Sequence, residues 1–330
     1  MKLVKPTAEE GAAGLRAMAT VAQARQPIAE PTRRLINAGQ RVLLGKVEDI
    51  DSLDSISPSD LAAKIQRQET REQLISGMVL AGFSSGEPPV AQADVIQSFA
   101  QALDVQGPQL KAIERLAHHD LLFFKLCVLR NSHIPDMIKE IYRESGARGV
   151  IKGISGLRGH HEDPTIAARF QAWEKLPAGT LGSAVFHHYR ANGFALPGER
   201  GGFPEQGVYH DISHVLAGYD TSPQGETLVG GFIAGYRENR PDRGLFTALF
   251  VLSIFSAGVD VTPIDVGAKK GTIGDVAERF LLAIERGSKL SQDLSDDWNF
   301  WDYIELPLEE ARERLGVPPK TLFGSGDTDR

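Results

Sequence analysis

Tyr209-His210-Asp211-Ile212-Ser213-His214-Val215-Leu216-Ala217-Gly218 places two histidines four residues apart, and Glu226 follows twelve residues after His214. Residues four apart lie on neighbouring turns of an α-helix, so both imidazoles can reach one ion. Asp211 sits about 60° round the helical wheel from His214 and can lean toward the same point. Thr221-Ser222-Pro223 breaks the pattern, and a second helix starting there folds back with Glu226 near its beginning. The spacing predicts one metal site made by two helices, with His210, Asp211, His214 and Glu226 as ligands. The same residues also allow an amphipathic surface helix. Val208, Ile212, Val215 and Tyr219 would form its apolar stripe, with both histidines solvated on the far side.

The segments that follow bear on that choice. Glu226 heads a stripe with Val229, Gly230 and Ile233, so it can face inward. Gly230, Gly231, Ala234 and Gly235 leave the second helix nearly smooth, which permits either close helix packing or a groove for a slender apolar ligand. Gly230, Gly231, Ala234 and Phe250 are the candidate lipid contacts. Leu245–Ala257 is apolar nearly all round and must be buried in a core, a dimer interface or a lipid-lined pocket. It is too short to span a bilayer.

Composition sets the outer bounds. A chain of 330 residues suggests two domains. Hydrophobic residues at 42% and charged residues at 24% are ordinary for a globular protein. A net charge of -7 without basic clusters argues against a nucleic-acid partner. A single cysteine, Cys127, sits in an apolar run and reads as a small core residue in a reducing compartment. No secretory signal or membrane span is visible, so a cytoplasmic protein that can sit peripherally on the inner face of the cell membrane is expected.

The fold class expected is all-α, two helical domains without a substantial sheet. Residues 1–142 form the first, with a helix opening at Ser57-Pro58-Ser59-Asp60 and running through Leu80 to Gly82. Further helices cover Ala91–Leu103, Gln109–Ala117 and His118–Leu129, where His118-His119-Asp120 reads as a polar cap. A glycine-dense connector spans 143–170; His160-His161-Glu162 within it reads as a solvated turn and Asp163-Pro164 as a helix start. Residues 171–330 carry the chemistry. The order His-Asp-x-x-His is not the His-Glu-x-x-His of zinc proteases, because Asp is one methylene too short for that general base. The remaining His and Asp of HD phosphohydrolases have no clear counterpart.

His210-Asp211-x-x-His214 followed by Glu226 resembles the signature of the coenzyme Q biosynthesis protein four family. Leu176-Pro-Ala-Gly-Thr-Leu-Gly182, Val215-Leu-Ala-Gly-Tyr219, Ala283-Ile-Glu-Arg-Gly287, Trp298, Trp301 and Leu306–Gly316 extend the similarity over 172–318. The resemblance implies a helical, often dimeric, peripheral membrane protein that binds a prenylated quinone precursor and works with other quinone-biosynthesis proteins. It also implies a divalent metal, zinc with iron or manganese as alternatives, on His210, Asp211, His214 and Glu226. The family is connected with oxidative decarboxylation of a polyprenyl-benzoate. One departure is the short lead-in Phe203–Tyr209, where the family has a long helix with an Arg-Glu pair. Met78–Glu87 and Val95–Val105 resemble, more weakly, the TerB-like domains of tellurite resistance over 70–140, with Ser84-Ser85 where that family carries acid. Three functions follow: a metal-dependent quinone-pathway protein, a non-catalytic lipid-binding scaffold with a structural metal, or an unrelated metallohydrolase or stress protein.

Overall fold

The computed structural model of the chain describes residues 2–320 apart from 26, 132–134, 136–137, 140, 144–145, 148–149, 151–161, 238–240, 256–272 and 297. His160, His161 and most of the glycine-dense connector lie outside the described residues. In chain order the first helices are α1 (Ala8–Gln23), α2 (Glu30–Gly39), α3 (Pro58–Lys64), α4 (Gln68–Phe83), α5 (Val90–Ala102), α6 (Pro108–Ala117) and α7 (Leu121–Asn131). Then come α8 (Pro164–Gln171), α9 (Leu181–Ala191), α10 (Val208–Ala217), α11 (Pro223–Tyr236), α12 (Pro241–Phe255), α13 (Ile273–Gly287) and α14 (Leu308–Leu315). Among the described residues there is no strand beyond an isolated bridge between Thr180 and Pro307, and the fold is all-α.

Two compact units divide the chain, and neither is continuous. One combines Met1–Ser132 with Ser222–Ser288, the other His133–Thr221 with Lys289–Arg330. The sequence predicts instead a single divide at the connector 143–170. The difference arises because α12 and α13 pack on the N-terminal helices, α13 on α2 and α12 on α4 and α7, while α11 packs on α12 and α13.

In the first unit, α1 opens with a capping box. The Thr7 hydroxyl accepts from the Glu10 amide at 3.2 Å, and the Glu10 carboxylate accepts from the Thr7 amide at 2.9 Å. Periodicity predicts one helix from Ser57 to Gly82, yet the chain forms α3 and α4. Ile65 turns extended and is fully buried, while Arg71 Nε donates to its carbonyl at 2.9 Å, offsetting the lost helical bonds. At the turn after α4 the serines are held by protein groups, Ser84 by Thr32 at 3.0 Å and Ser85 by Arg25 at 2.9 Å. Asp120 caps α7 by accepting from the Phe123 amide at 3.1 Å, as the polar run before it predicts.

The apolar α12 is core in this unit: Leu245, Phe246, Ala248, Leu249 and Leu252 are all buried. Glycine lets α11 and α13 approach each other closely. A Cβ at Gly235 would be driven into the Ile284 carbonyl, and one at Gly287 into the Phe232 carbonyl.

In the second unit, Asp163 caps α8 by accepting from the Thr165 and Ile166 amides at 3.1 and 3.2 Å. Behind it Phe170, Trp173 and Trp301 form an aromatic cluster with centroids 4.7–5.4 Å apart. No helix among the described residues is long and apolar enough to cross a membrane.

Candidate metal centre

Helix α10 is fixed at both ends. At its start, the short turn Glu205–Gly207 is tied down where Glu205 accepts from Trp301 Nε1 at 2.8 Å and pairs with Arg169 at 3.3 Å. The short lead-in is therefore tied down by Trp301 and Arg169. At its end Gly218 takes the left-handed conformation, φ 71°, closing the helix with a bond to the His214 carbonyl. Arg312 then donates to the Leu216 and Val215 carbonyls at 3.0 and 2.9 Å, placing a cation on the negative helix terminus.

Val208, Ile212 and Leu216 are fully buried, and on the other face His214 is only 2% exposed. His210 is half-buried. A surface helix with two solvated histidines is not what forms. His214 Nδ1 lies 3.0 Å from the Tyr219 carbonyl, which can only accept, so Nδ1 carries the proton and Nε2 the lone pair. The two Nε2 atoms of His210 and His214 face each other at 3.3 Å. Two imidazole nitrogens bound to one tetrahedral zinc at about 2.0–2.1 Å stand about 3.4 Å apart, a separation this pair matches. His188 stacks on His214, centroids 5.3 Å apart and planes at 25°, which holds that ring's plane.

Glu226 sits in the first turn of α11, whose N-cap Ser222 accepts from the Gly225 amide at 3.1 Å. Along the stretch 210–226, one ligand atom from each of His210, His214 and Glu226 lies within 4.8 Å of the other two. Asp211 is not in that group. Its Oδ2 accepts from the Tyr189 hydroxyl at 2.6 Å. Burial, with the Asp211 carboxylate beside it, pushes the Tyr189 phenol well above its ordinary pKa, so it stays a donor.

Tyr189 escaped the sequence reading. Its signal was available: it follows Val185 and Phe186 on the apolar face of α9, and a buried tyrosine needs a partner for its hydroxyl. The candidate lipid contacts Gly230, Gly231 and Ala234 are buried. The space beside Gly230 is taken by the Val251 side chain, and that beside Gly231 by Phe280, whose carbonyl would lie 2.9 Å from a Cβ there. Phe250 is half-buried.

No family model matches the chain, and no curated protein matches it. Among solved structures, one from Nostoc punctiforme, named provisionally for ubiquinone biosynthesis, aligns with a TM-score of 0.33 at 18% identity. The alignment covers 64% of this chain and 97% of that one. A likeness of that degree carries no argument about chemistry, which rests here on the residues themselves.

Proposed function

We propose that this chain is a metal-binding component of prenylquinone biosynthesis, of the ubiquinone type, with His210, His214 and Glu226 holding a divalent ion and a prenylated aromatic lipid as the molecule bound. The observation that carries the reading is the gathering of three donors while Asp211 is engaged by Tyr189. The motif resemblance supplies the pathway. Two imidazoles and one carboxylate suit zinc, with iron or manganese as alternatives.

Three protein ligands leave a coordination position open, the pattern of catalytic rather than structural zinc sites. That favours an enzyme, an oxidative decarboxylase of a polyprenyl-benzoate, over a scaffold with a structural metal. A bound ion would supply Lewis acidity toward the substrate carboxylate. The protein's own contribution is orientation: the Tyr219 carbonyl sets the His214 tautomer, and Trp301 and Arg312 hold the ends of α10. Homodimerisation, pathway partners and peripheral membrane attachment belong to the same reading. The exposed apolar side chains of Leu122 and Leu126 on α7 support the last of these.

Elemental analysis of the purified protein tests the ligand set. About one divalent ion per chain is expected, lost in His210→Ala and in His214→Ala with helical content unchanged. Stoichiometric metal surviving both substitutions sinks the assignment.

A further inference from the structure

Helix α7, Leu121–Asn131, is apolar nearly all round, with Lys125, Arg130 and Asn131 as its polar residues. Such a helix belongs in a core. Phe124 and Val128 do face the core of the first unit and are fully buried. The opposite side stays in water. Leu122 is 70% exposed and Leu126 57%, and the exposed Leu121 and Phe123 extend the patch. Leu122 and Leu126 are four residues apart, so they stand on one face as a ridge. Contiguous apolar surface left wet marks a site of interaction.

The charges around the ridge select what covers it. Arg115 lies over the Phe123 ring, 4.9 Å from its centroid. Burial raises the Cys127 thiol, while Asn131, Arg130 and Lys111 pull it back, which puts both cations beside the middle of the helix. Lys125 is on the helix itself, next to Leu126. Against these four cations, the acids of 108–131 are Glu114 and Asp120. Asp120 is engaged, capping α7 and pairing with Arg115 at 3.6 Å. Among the described residues no carboxylate pairs with Lys111, Lys125 or Arg130. A chain of net charge -7 therefore gathers unmatched cations around its most exposed leucines.

A second copy of the chain would bring the same cations face to face. Its contact would also be small: four side chains on one short helix offer on the order of a few hundred Å², against about 800 Å² per partner in a stable interface. An anionic lipid surface meets neither objection. It neutralises the cations, and the leucines need to enter only about 5–10 Å to leave water. The stems of Lys125 and Arg130 can lie along the apolar face with their charges at the head groups.

We propose that α7 is a membrane-docking helix lying in the plane of an anionic lipid surface, with Leu122 and Leu126 inserted and Lys111, Lys125 and Arg130 on the acidic head groups. This gives the peripheral attachment in the reading above a specific surface, and it rests on that part of the reading alone.

Flotation of the full-length protein with phosphatidylcholine vesicles, and with vesicles mixing that lipid with phosphatidylglycerol, tests this. Binding to the anionic vesicles is expected, about tenfold weaker on phosphatidylcholine alone and reduced by added salt. Leu122→Ser combined with Leu126→Ser should weaken it at least about tenfold. Lys125→Gln combined with Arg130→Gln should bring it to about the phosphatidylcholine level, and serves where the serine variant does not fold. Metal content of the same preparation reads the metal site separately: vesicle binding without metal leaves this proposal standing, and metal without vesicle binding sinks it alone. Equal binding to both lipids, or wild-type binding in a folded serine variant, also overturns it. So does a dimer, seen by light scattering, that the serine variant dissolves, because the ridge then belongs to a second copy.

Discussion

At the scale of the residue, Asp211 and Tyr189 distinguish a ligand from a group that steadies ligands. A carboxylate adjacent to His210 looks available to an ion, but its Oδ2 is taken by the Tyr189 hydroxyl at 2.6 Å. Asn at 211 keeps an acceptor for that hydroxyl. Asp211→Asn is therefore expected to retain full metal stoichiometry by elemental analysis, whereas emptying of the site would make Asp211 a ligand. Tyr189→Phe removes the donor and leaves a partly buried carboxylate less satisfied. A loss of about tenfold in metal affinity is expected, measured by competition with a chelating dye. Unchanged affinity would assign the Tyr189–Asp211 bond to stability alone.

At the scale of the element, the packing of α11 against α13 depends on absent side chains. Gly235 faces the Ile284 carbonyl and Gly287 faces the Phe232 carbonyl, so backbone meets backbone on both sides. Backbone cannot swing aside as a flexible side chain can. Gly235→Ala should therefore destabilise the protein by about 1–3 kcal/mol in urea unfolding, despite the better helix propensity of alanine. A neutral or stabilising result would show that the two helices can part at little cost. The same pair of helices shows why a smooth helix predicts two outcomes equally well. Removing Cβ atoms permits close packing or a groove, and only the neighbour decides which.

At the scale of the whole molecule, each unit has a carboxylate held far below its ordinary pKa by an arginine. Hydrogen bonding from Arg67 lowers Glu10 to about 2, and hydrogen bonding from Arg190 lowers Glu199 to about 2. Both are depressed in the folded state. Their stabilisation is present above the unfolded value of 4.5 and is lost as pH falls toward 2. The thermal midpoint should be level at neutral pH and fall across that acid window. Arg190→Ala should flatten the part of the fall that belongs to the Glu199 loop, where Glu199 also accepts from Gln171 and the Leu196 amide at 2.9 and 2.8 Å. An unchanged acid slope in that variant would place the pH dependence elsewhere.

Much of this was legible in the chain itself, because helices are local. The periodicity of α10, the glycine stop at Gly218, the Asp163 and Ser222 caps and the His210–His214 pairing all follow from residues within a few positions of one another. The all-α class follows from the same signals. What depended on partners distant in sequence was not legible. Nothing near Asp211 announces Tyr189, twenty-two residues away, and nothing near Val215 announces Arg312. Nor does any local pattern say that Ile65 will break a helix, or that α11 to α13 will join the N-terminal unit. Local hydrogen bonding sets which segments coil. Burial of apolar faces, which is non-directional, sets which segments meet, and that choice is made only in the folded chain.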